Sequence, residues 1–324
     1  MTVVFLGSGA FGIPCLNALR QSPHDLALVV SQPPRPGGRG RKPLATPVSQ
    51  WARDLGIPCR ESDDANATES IAAIRAHQPD LIVVIAFGQK IGAELINLPA
   101  KGAINVHASI LPRWRGAAPI NWAILNGDAV TGVSIITLAD KMDAGDVLAT
   151  ASTLVEPKET AGHLHDRLAQ LAPTTLLETL RQLDEGTAVF TPQDHSQATL
   201  APKLKKGDGF LDFSQSAEML ERRVRAFWPW PGAGATYVSA ATGKSTRVTL
   251  ARVEVVPPAS SALATRAAPG TLDEALNVVC GEDALKLLEL KPAGSQLMPF
   301  GDFVNGRKTV PGDRLAGLVP EASP

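Results

Sequence analysis

Short apolar runs alternate with longer amphipathic stretches in the first half of the chain, and this pattern constrains the fold more than any other feature. Between the runs, residues 46–55 and 70–77 have the spacing of helices. Strands that are apolar throughout and separated by helices are typical of a parallel sheet covered on both faces. We therefore predict an open α/β sheet. Its strands are residues 3–6, 26–30, 81–85 and 103–107.

The pattern changes in the second half of the chain. Residues 133–138 and 147–154 are β-rich and predict a hairpin, and a long helix over 160–185 then closes the first domain. A polar stretch broken by prolines and glycines follows. Short runs punctuated by turns then predict a small barrel or sandwich. We divide the chain into a catalytic domain at 1–190, a linker at 191–208 and a second domain at 209–324.

Composition excludes several classes of protein. The 324 residues carry a net charge of -1 and include only 3 Cys, with no C-x-x-C pair and no long apolar segment. These features argue against a disulfide framework, a Cys-based zinc site, a membrane span and a uniformly basic nucleic-acid coat. The N-terminus has no features of a signal peptide. We expect a cytoplasmic protein.

Two segments carry weaker signals. Gly7-Ser8-Gly9-Ala10-Phe11-Gly12 matches a dinucleotide-binding turn, but the next strand ends at Gln32-Pro33 without the acidic residue that would hold a ribose. The favoured interpretation is that these glycines allow a tight turn and close packing of the helix. A second segment, broken by Pro and Gly, has four positive charges and suits either phosphate contact or simple solvation. Its basic residues are Arg35, Arg39, Arg41 and Lys42.

The strongest signal is a polar pair on an otherwise apolar strand. Because side chains alternate along a strand, Asn105 and His107 project to one side. Ligands bind at the carboxyl ends of strands in open α/β sheets. Asp143 follows in the hairpin loop, from which it can return to the pair. A carboxylate beside an imidazole orients it and favours its charged form.

The segment Asn105-x-His107-x-Ser109-x-Leu111-Pro112, followed by Asp143-Ala144-Gly145, resembles the site of the folate-dependent formyltransferases. The segment from Arg113 to Ile120 is similar to the branch of that family that acts on initiator tRNA. The second domain adds segments of similar order and spacing, including residues 201–204, 225–232 and 290–294. The resemblance implies a Rossmann-like open sheet followed by an OB-fold-like β-barrel.

The resemblance also implies a reaction: transfer of the formyl group of 10-formyltetrahydrofolate to the α-amino group of methionyl initiator tRNA. Asn105, His107 and Asp143 would be catalytic, and no metal would be needed. Folate would lie against Ser109, Ile110, Leu111 and Pro112, with Phe87, Gly88 and Asp140 facing the pterin. The tRNA would contact Arg35, Arg39, Arg41, Lys42, Lys203, Lys205 and Lys206. We expect a monomer without membrane contact.

Three alternatives stay open at the level of sequence. A 10-formyltetrahydrofolate hydrolase would share the fold and site but use water as the acceptor, and the basic loop argues against it. A nicotinamide-dependent oxidoreductase would use the glycine turn, although the acidic ribose partner is missing. A non-catalytic RNA-binding module would leave the polar residues Asn105, His107 and Asp143 unexplained.

Overall fold

The computed structural model describes residues 1–37, 42–257 and 267–317. Arg39 and Arg41 lie outside the described residues, and so does the side chain of Lys42. The chain divides into two compact units, and the predicted linker falls partly in each. Unit 1 comprises Met1–Pro119, Val130–Leu154 and His165–Pro202; unit 2 comprises Ile120–Ala129, Val155–Leu164 and Lys203–Pro324.

Helices and strands alternate through the first two thirds of the chain. The helices are α1 (Ile13–Gln21), α2 (Pro47–Asp54), α3 (Thr68–Ala76), α4 (Ala93–Ile96), α5 (Pro119–Leu125) and α6 (Ala161–Glu185). The strands are β1 (Thr2–Gly7), β2 (Asp25–Ser31), β3 (Arg35–Gly37), β4 (Lys42–Leu44), β5 (Cys59–Glu61), β6 (Leu81–Ile85), β7 (Ala103–His107), β8 (Arg115–Gly116), β9 (Val130–Thr137), β10 (Val147–Leu154) and β11 (Leu200–Ala201).

Unit 1 is built on a seven-stranded sheet in the order β10-β9-β7-β6-β1-β2-β5. The five strands from β7 to β5 are parallel, whereas β9 and β10 form an antiparallel hairpin added at the β7 edge. Every residue of β6 is buried, as expected for a central strand covered on both faces. The predicted open α/β sheet and its hairpin are confirmed.

The glycine-rich turn after β1 is closely packed. A Cβ at Gly7 would lie 2.5 Å from the ring of Phe5 and 2.7 Å from the carbonyl oxygen of Ile85. The backbone N–H groups of Ser8 and Gly9 both donate to the Ala86 carbonyl, at 3.3 and 3.2 Å. These two N–H groups therefore bind a protein carbonyl, and the packing supports the interpretation that the glycines serve a tight turn.

Unit 2 contains an antiparallel barrel, which confirms the predicted barrel class. Its main path runs β14-β15-β13-β12-β17, and β16 pairs with β15. Single bridges from Thr271 to β17 and from Leu272 to β14 bring the two ends of this path together. The elements are α7 (Ala217–Phe227), β12 (Ala233–Val238), β13 (Ser245–Val256), β14 (Val278–Val279), β15 (Ala284–Pro292), β16 (Met298–Pro299), α8 (Phe300–Arg307) and β17 (Arg314–Gly317).

A buried carboxylate stabilises the barrel near this closure. Asp313 is fully buried and accepts hydrogen bonds from the Tyr237 hydroxyl at 2.5 Å, the Ala240 N–H at 2.7 Å and the Val310 N–H at 3.0 Å. Burial and the bond to Asp313 raise the pKa of Tyr237 above its ordinary value. Asp313 therefore joins β12 to the turn that precedes β17.

Candidate active site

Asn105 and His107 lie on β7, two residues apart, so their side chains project to the same side of the sheet. Strand β7 pairs with β6 through Val84 and Asn105, and with β9 through His107 and Ser134. His107 is 5% exposed, whereas Asn105 is half-buried. The sheet therefore presents two polar side chains within a largely apolar layer, as the sequence predicted.

The hydrogen bond of the His107 ring shows which of its nitrogens carries a hydrogen. Its Nε2 is 2.9 Å from the backbone carbonyl oxygen of Trp114, and this oxygen can only accept. Nε2 must therefore carry a hydrogen, which leaves Nδ1 to face Asp143 Oδ2 at 3.6 Å. A proton on Nδ1 would point at the carboxylate, so this arrangement accommodates a charged imidazolium.

Asp143 reaches this pair from an unexpected direction. Strand β9 is antiparallel to β7 and ends beside the start of β7, where Leu138 N–H donates to the Ala103 carbonyl. The loop that carries Asp143 must therefore fold back along β7 to reach His107. Gly145 permits this return, because a Cβ at this position would overlap the carbonyl oxygen of Thr137.

The Asp143 carboxylate is 11% exposed and accepts two hydrogen bonds. Oδ2 accepts from the Gly116 N–H at 2.8 Å and faces His107, and Oδ1 accepts from Asn105 Nδ2 at 3.4 Å. The backbone of Asp143 has a φ of 52°, a left-handed conformation that non-glycine residues rarely adopt. The structure thus brings Asn105 and His107 together around the carboxylate of Asp143.

The backbone of the segment after β7 is held by the side chain of Ser134. Ser134 Oγ donates to the Ser109 carbonyl at 2.8 Å and accepts from the Leu111 N–H at 3.1 Å. Ser109 and Leu111 are buried, and the Leu111–Pro112 peptide bond is cis. Ile110 and Pro112 are partly exposed. Of the four residues predicted to contact a folate, these two are the ones with accessible side chains.

The residues predicted to face a pterin differ in accessibility. Phe87 and Gly88 follow β6, the neighbour of β7, but the Phe87 ring is buried and its carbonyl accepts from Ser8 and Gln32. Gly88 has a φ of 78°, and a Cβ there would lie 2.6 Å from Gln32 Nε2. Asp140 lies in the loop after β9 and is exposed. Phe87 can therefore offer only backbone to a ligand.

The predicted nucleic-acid contacts are exposed where the structure describes them. Arg35 is exposed on β3, and Lys203, Lys205 and Lys206 are exposed at the start of the last segment of unit 2. The arginines of α7 are engaged within unit 2. Their partners are Glu218 for Arg222, the Asp208 carbonyl for Arg223, and Glu221 for Arg225.

Sequence reasoning missed a polar residue beside the site. Gln193, assigned to the linker, is buried and donates through Nε2 to the backbone carbonyls of Asp143 at 2.9 Å and Gly145 at 2.7 Å. No periodicity or spacing in the sequence marks this residue, because its contacts are 48 and 50 residues away.

The described ranges are residues 1–37, 42–257 and 267–317. Within these ranges no group of three or more His, Cys, Asp or Glu side chains is arranged to hold a metal ion. None of the helices in the same ranges is long and apolar enough to cross a membrane.

Both parts of the chain match known protein families. Residues 1–180 match the "Formyl transferase" family and residues 203–308 match "Formyl transferase, C-terminal domain". The seven-stranded sheet lies within the first match, and most of the barrel lies within the second. The chain belongs to the formyl transferase family.

Curated relatives match over nearly the whole length. Methionyl-tRNA formyltransferase of Solibacter usitatus is 40% identical over 317 residues, covering 97% of this chain and 98% of the relative. The protein of the same name from Geobacter metallireducens is 39% identical over 319 residues, with 97% and 98% coverage. The enzyme of Nitrosococcus oceani is 41% identical over 315 residues, with 96% and 94% coverage.

Solved structures share the fold. HypX from Aquifex aeolicus, in complex with tetrahydrofolic acid, has a TM-score of 0.62 at 17% identity. The match covers 93% of this chain but 46% of HypX, so this chain spans about half the length of that protein. WlaRD, a sugar 3N-formyl transferase crystallised with dTDP and 5-N-formyl-THF, has a TM-score of 0.61 at 12% identity, covering 91% of this chain and 99% of WlaRD.

Proposed function

We propose that this chain transfers the formyl group of 10-formyltetrahydrofolate to the α-amino group of methionyl initiator tRNA, giving the formylated tRNA that begins translation. The observation that carries the proposal is the convergence of Asn105, His107 and Asp143 in a member of the formyl transferase family. Full-length similarity to methionyl-tRNA formyltransferases supports the choice of acceptor. The expected compartment is the cytoplasm, where the chain would act as a monomer.

The reaction needs a donor for developing charge and an acceptor for a proton. The free amine attacks the formyl carbon, a C–N bond forms, and the carbonyl oxygen becomes an oxyanion. Asn105 Nδ2 and protonated His107 are the proposed donors to this oxygen. The Nε2 hydrogen faces the Trp114 carbonyl, so the Nδ1 hydrogen is the one proposed to reach the oxyanion, and its separation of 3.6 Å from Asp143 Oδ2 is longer than a hydrogen bond.

Asp143 is the proposed proton carrier. The attacking amine must lose a proton and the departing N10 of the folate must gain one as the C–N10 bond breaks. A carboxylate beside both reacting nitrogens can accept the first proton and return it to the second, directly or through water. The left-handed backbone and the Gly116 N–H set the direction of this carboxylate. No metal takes part in the proposed steps.

The folate is proposed to lie against the segment Ser109–Pro112, with the pterin facing Phe87, Gly88 and Asp140. The partly exposed side chains of Ile110 and Pro112 offer an apolar surface, and the chain after β6 offers backbone groups. HypX and WlaRD, which share the fold, were crystallised with tetrahydrofolate compounds.

The tRNA is proposed to contact the basic residues Arg35, Arg39, Arg41 and Lys42 and the three lysines at 203, 205 and 206. The exposure of Arg35 and of these lysines leaves their charges available to phosphates. The charges contribute a salt-dependent, sequence-independent part of the affinity.

Label transfer from 10-formyltetrahydrofolate to methionyl initiator tRNA tests the proposal, with elongator tRNA and uncharged tRNA as controls. We expect transfer to the initiator tRNA only. Asn105→Ala and His107→Ala should each lower kcat at least about a hundredfold, which is the typical contribution of an oxyanion donor. Release of labelled formate without transfer would instead identify a hydrolase and contradict the proposal.

A further inference from the structure

Gln193 lies outside the group of residues assigned above to the reaction, yet its side chain binds two backbone carbonyls of the Asp143 loop. We propose that Gln193 is a positioning residue, which acts by keeping the Asp143 carboxylate at the orientation needed for proton transfer. The inference rests on the proposed function for its catalytic consequence, and on the hydrogen bonds of unit 1 for its structural basis.

The amide of Gln193 donates both of its hydrogens to the Asp143 loop. Nε2 lies 2.9 Å from the Asp143 carbonyl and 2.7 Å from the Gly145 carbonyl, so it ties the backbone on both sides of Ala144. The orientation of the amide follows from chemistry, because carbonyl oxygens only accept and the NH₂ group must face them. One side chain thus holds the loop at two backbone carbonyls that are two residues apart.

The amide oxygen of Gln193 binds the side chain of Arg115, which lies on β8. Oε1 accepts from Arg115 Nε at 3.1 Å and from Arg115 Nη2 at 2.6 Å. The next residue, Gly116, donates its N–H to Asp143 Oδ2 at 2.8 Å. Gln193 therefore links two segments. One is Arg115–Gly116, which donates a hydrogen bond to the Asp143 carboxylate, and the other is the loop that carries Asp143.

The chain around Gln193 is held on both sides, so the side chain is well placed to act as a support. Thr191 exchanges two backbone hydrogen bonds with Val147, at 2.8 and 2.9 Å, at the start of β10. Further along, β11 pairs with β8. Gln193 is 9% exposed, and its four hydrogen bonds use its full capacity for donation and acceptance.

The Asp143 loop needs such a support. A non-glycine residue with a φ of 52° occupies a sparsely populated conformation, which persists only where surrounding structure imposes it. Without the two donated hydrogen bonds, the Asp143 and Gly145 carbonyls lose these partners and the carboxylate can leave its place beside His107. Displacement of a catalytic group by about 1 Å can cost about a hundredfold in rate.

Gln193→Glu is the most informative variant, because it keeps an oxygen for Arg115 and replaces the two donors by a negatively charged oxygen that cannot bind the two carbonyls. We expect kcat to fall by about 10- to 100-fold, while KM for the folate changes by less than about threefold, because the ground-state contacts are retained. Gln197→Glu is the matched control. Gln197 is exposed on the same segment and donates to Asp194 at 2.7 Å, so this variant should keep wild-type kcat.

A double-mutant cycle separates positioning from a general loss of stability. If Gln193 acts through Asp143, then Gln193→Glu should lower the residual single-turnover rate of Asp143→Ala by less than about twofold, because the coupled effects do not add. An equal loss in both backgrounds would overturn the proposal. Gln193→Met, which removes all four hydrogen bonds without adding a charge, provides a second variant if Gln193→Glu does not fold.

Hydrogen–deuterium exchange gives a readout that does not depend on the reaction. Peptides covering residues 140–147 should exchange faster in Gln193→Glu than in the wild type and in Gln197→Glu, whereas peptides from β1 and β6 should not change. Unchanged exchange in 140–147, or wild-type kcat in Gln193→Glu, would overturn the positioning role. A wild-type protein that transfers no formyl group would refute the proposed function and leave the exchange test valid.

Discussion

Replacing Asp143 by Asn is the sharpest test of the site, because the change preserves shape and removes the charge. The carboxylate accepts from Gly116 N–H at 2.8 Å and from Asn105 Nδ2 at 3.4 Å, and His107 Nδ1 faces it at 3.6 Å. An amide has one oxygen, so when this oxygen accepts from Gly116, its NH₂ group must face the NH₂ group of Asn105.

We expect Asp143→Asn to lower the folding stability less than it lowers the rate of the reaction. The bond from Gly116 changes from a charge-assisted to a neutral hydrogen bond, which costs about 1 kcal/mol of folding free energy. For a unit of this size, that loss lowers the melting temperature by about 2–4 °C. The variant lacks the proposed proton acceptor and the negative charge beside His107. We therefore expect kcat to fall at least about a hundredfold, which raises the activation free energy by about 2.7 kcal/mol.

Single-turnover formyl transfer and circular-dichroism melting measure the two quantities on the same preparations. Asp146→Asn is the matched control, since Asp146 lies in the same loop and its backbone N–H and carbonyl bond Thr137. The control should keep wild-type kcat. A value of kcat for Asp143→Asn within tenfold of the wild type, in a folded protein, would refute the assigned role of the carboxylate.

Three other predictions concern the basic loop, the barrel and the thiols. Arg39→Ala should raise KM for methionyl-tRNA and reduce the salt slope of binding by about one unit, measured by filter binding at several salt concentrations. Asp313→Ala should destabilise unit 2 by about 3 kcal/mol or more in urea unfolding, because Tyr237 and two backbone N–H groups lose their acceptor. Burial raises the pKa of Cys15 and of Cys280 to about 12, so at pH 8 both thiols should react with a disulfide reagent only after unfolding.

Each of these predictions has a contrary outcome. An unchanged salt slope would remove Arg39 from the tRNA contact. A loss below about 1 kcal/mol for Asp313→Ala would mean that water satisfies the buried donors. Rapid labelling of Cys15 in the native protein, at the rate of a free thiol of ordinary pKa, would show that its environment is open to solvent.

The sequence by itself determined the elements whose cause is local. Apolar runs of strand length predicted the buried parallel strands, and Leu81–Ile85 is fully buried as expected. Alternation along β7 was enough to place Asn105 and His107 on one side of the sheet. The start of helix Ala217–Phe227 also has a local cause, because the Ser216 side chain accepts from the Met219 N–H and caps the helix.

Helix α8 and the closing strands of the barrel were missed for a physical reason. Phe300–Arg307 contains two glycines, Gly301 and Gly306, which lower its intrinsic helix propensity, so packing of Phe303 into the core decides its structure. The closing bridges of Thr271 and Leu272 depend on partners in β17 and β14. Short pairings of this kind leave no period in the sequence.

The tertiary structure alone decided how the site is assembled. Nothing local indicates that the loop after β9 starts at the amino end of β7 and must return along the strand, or that Gly145 permits that return. Gln193 lies in a polar, proline-containing stretch that sequence patterns assign to a linker, yet it binds Arg115 and the Asp143 loop. Periodicity in the sequence indicates only whether neighbouring residues are buried. The geometry of Asp143 depends instead on hydrogen bonds between segments up to 78 residues apart, and only the folded chain brings these segments together.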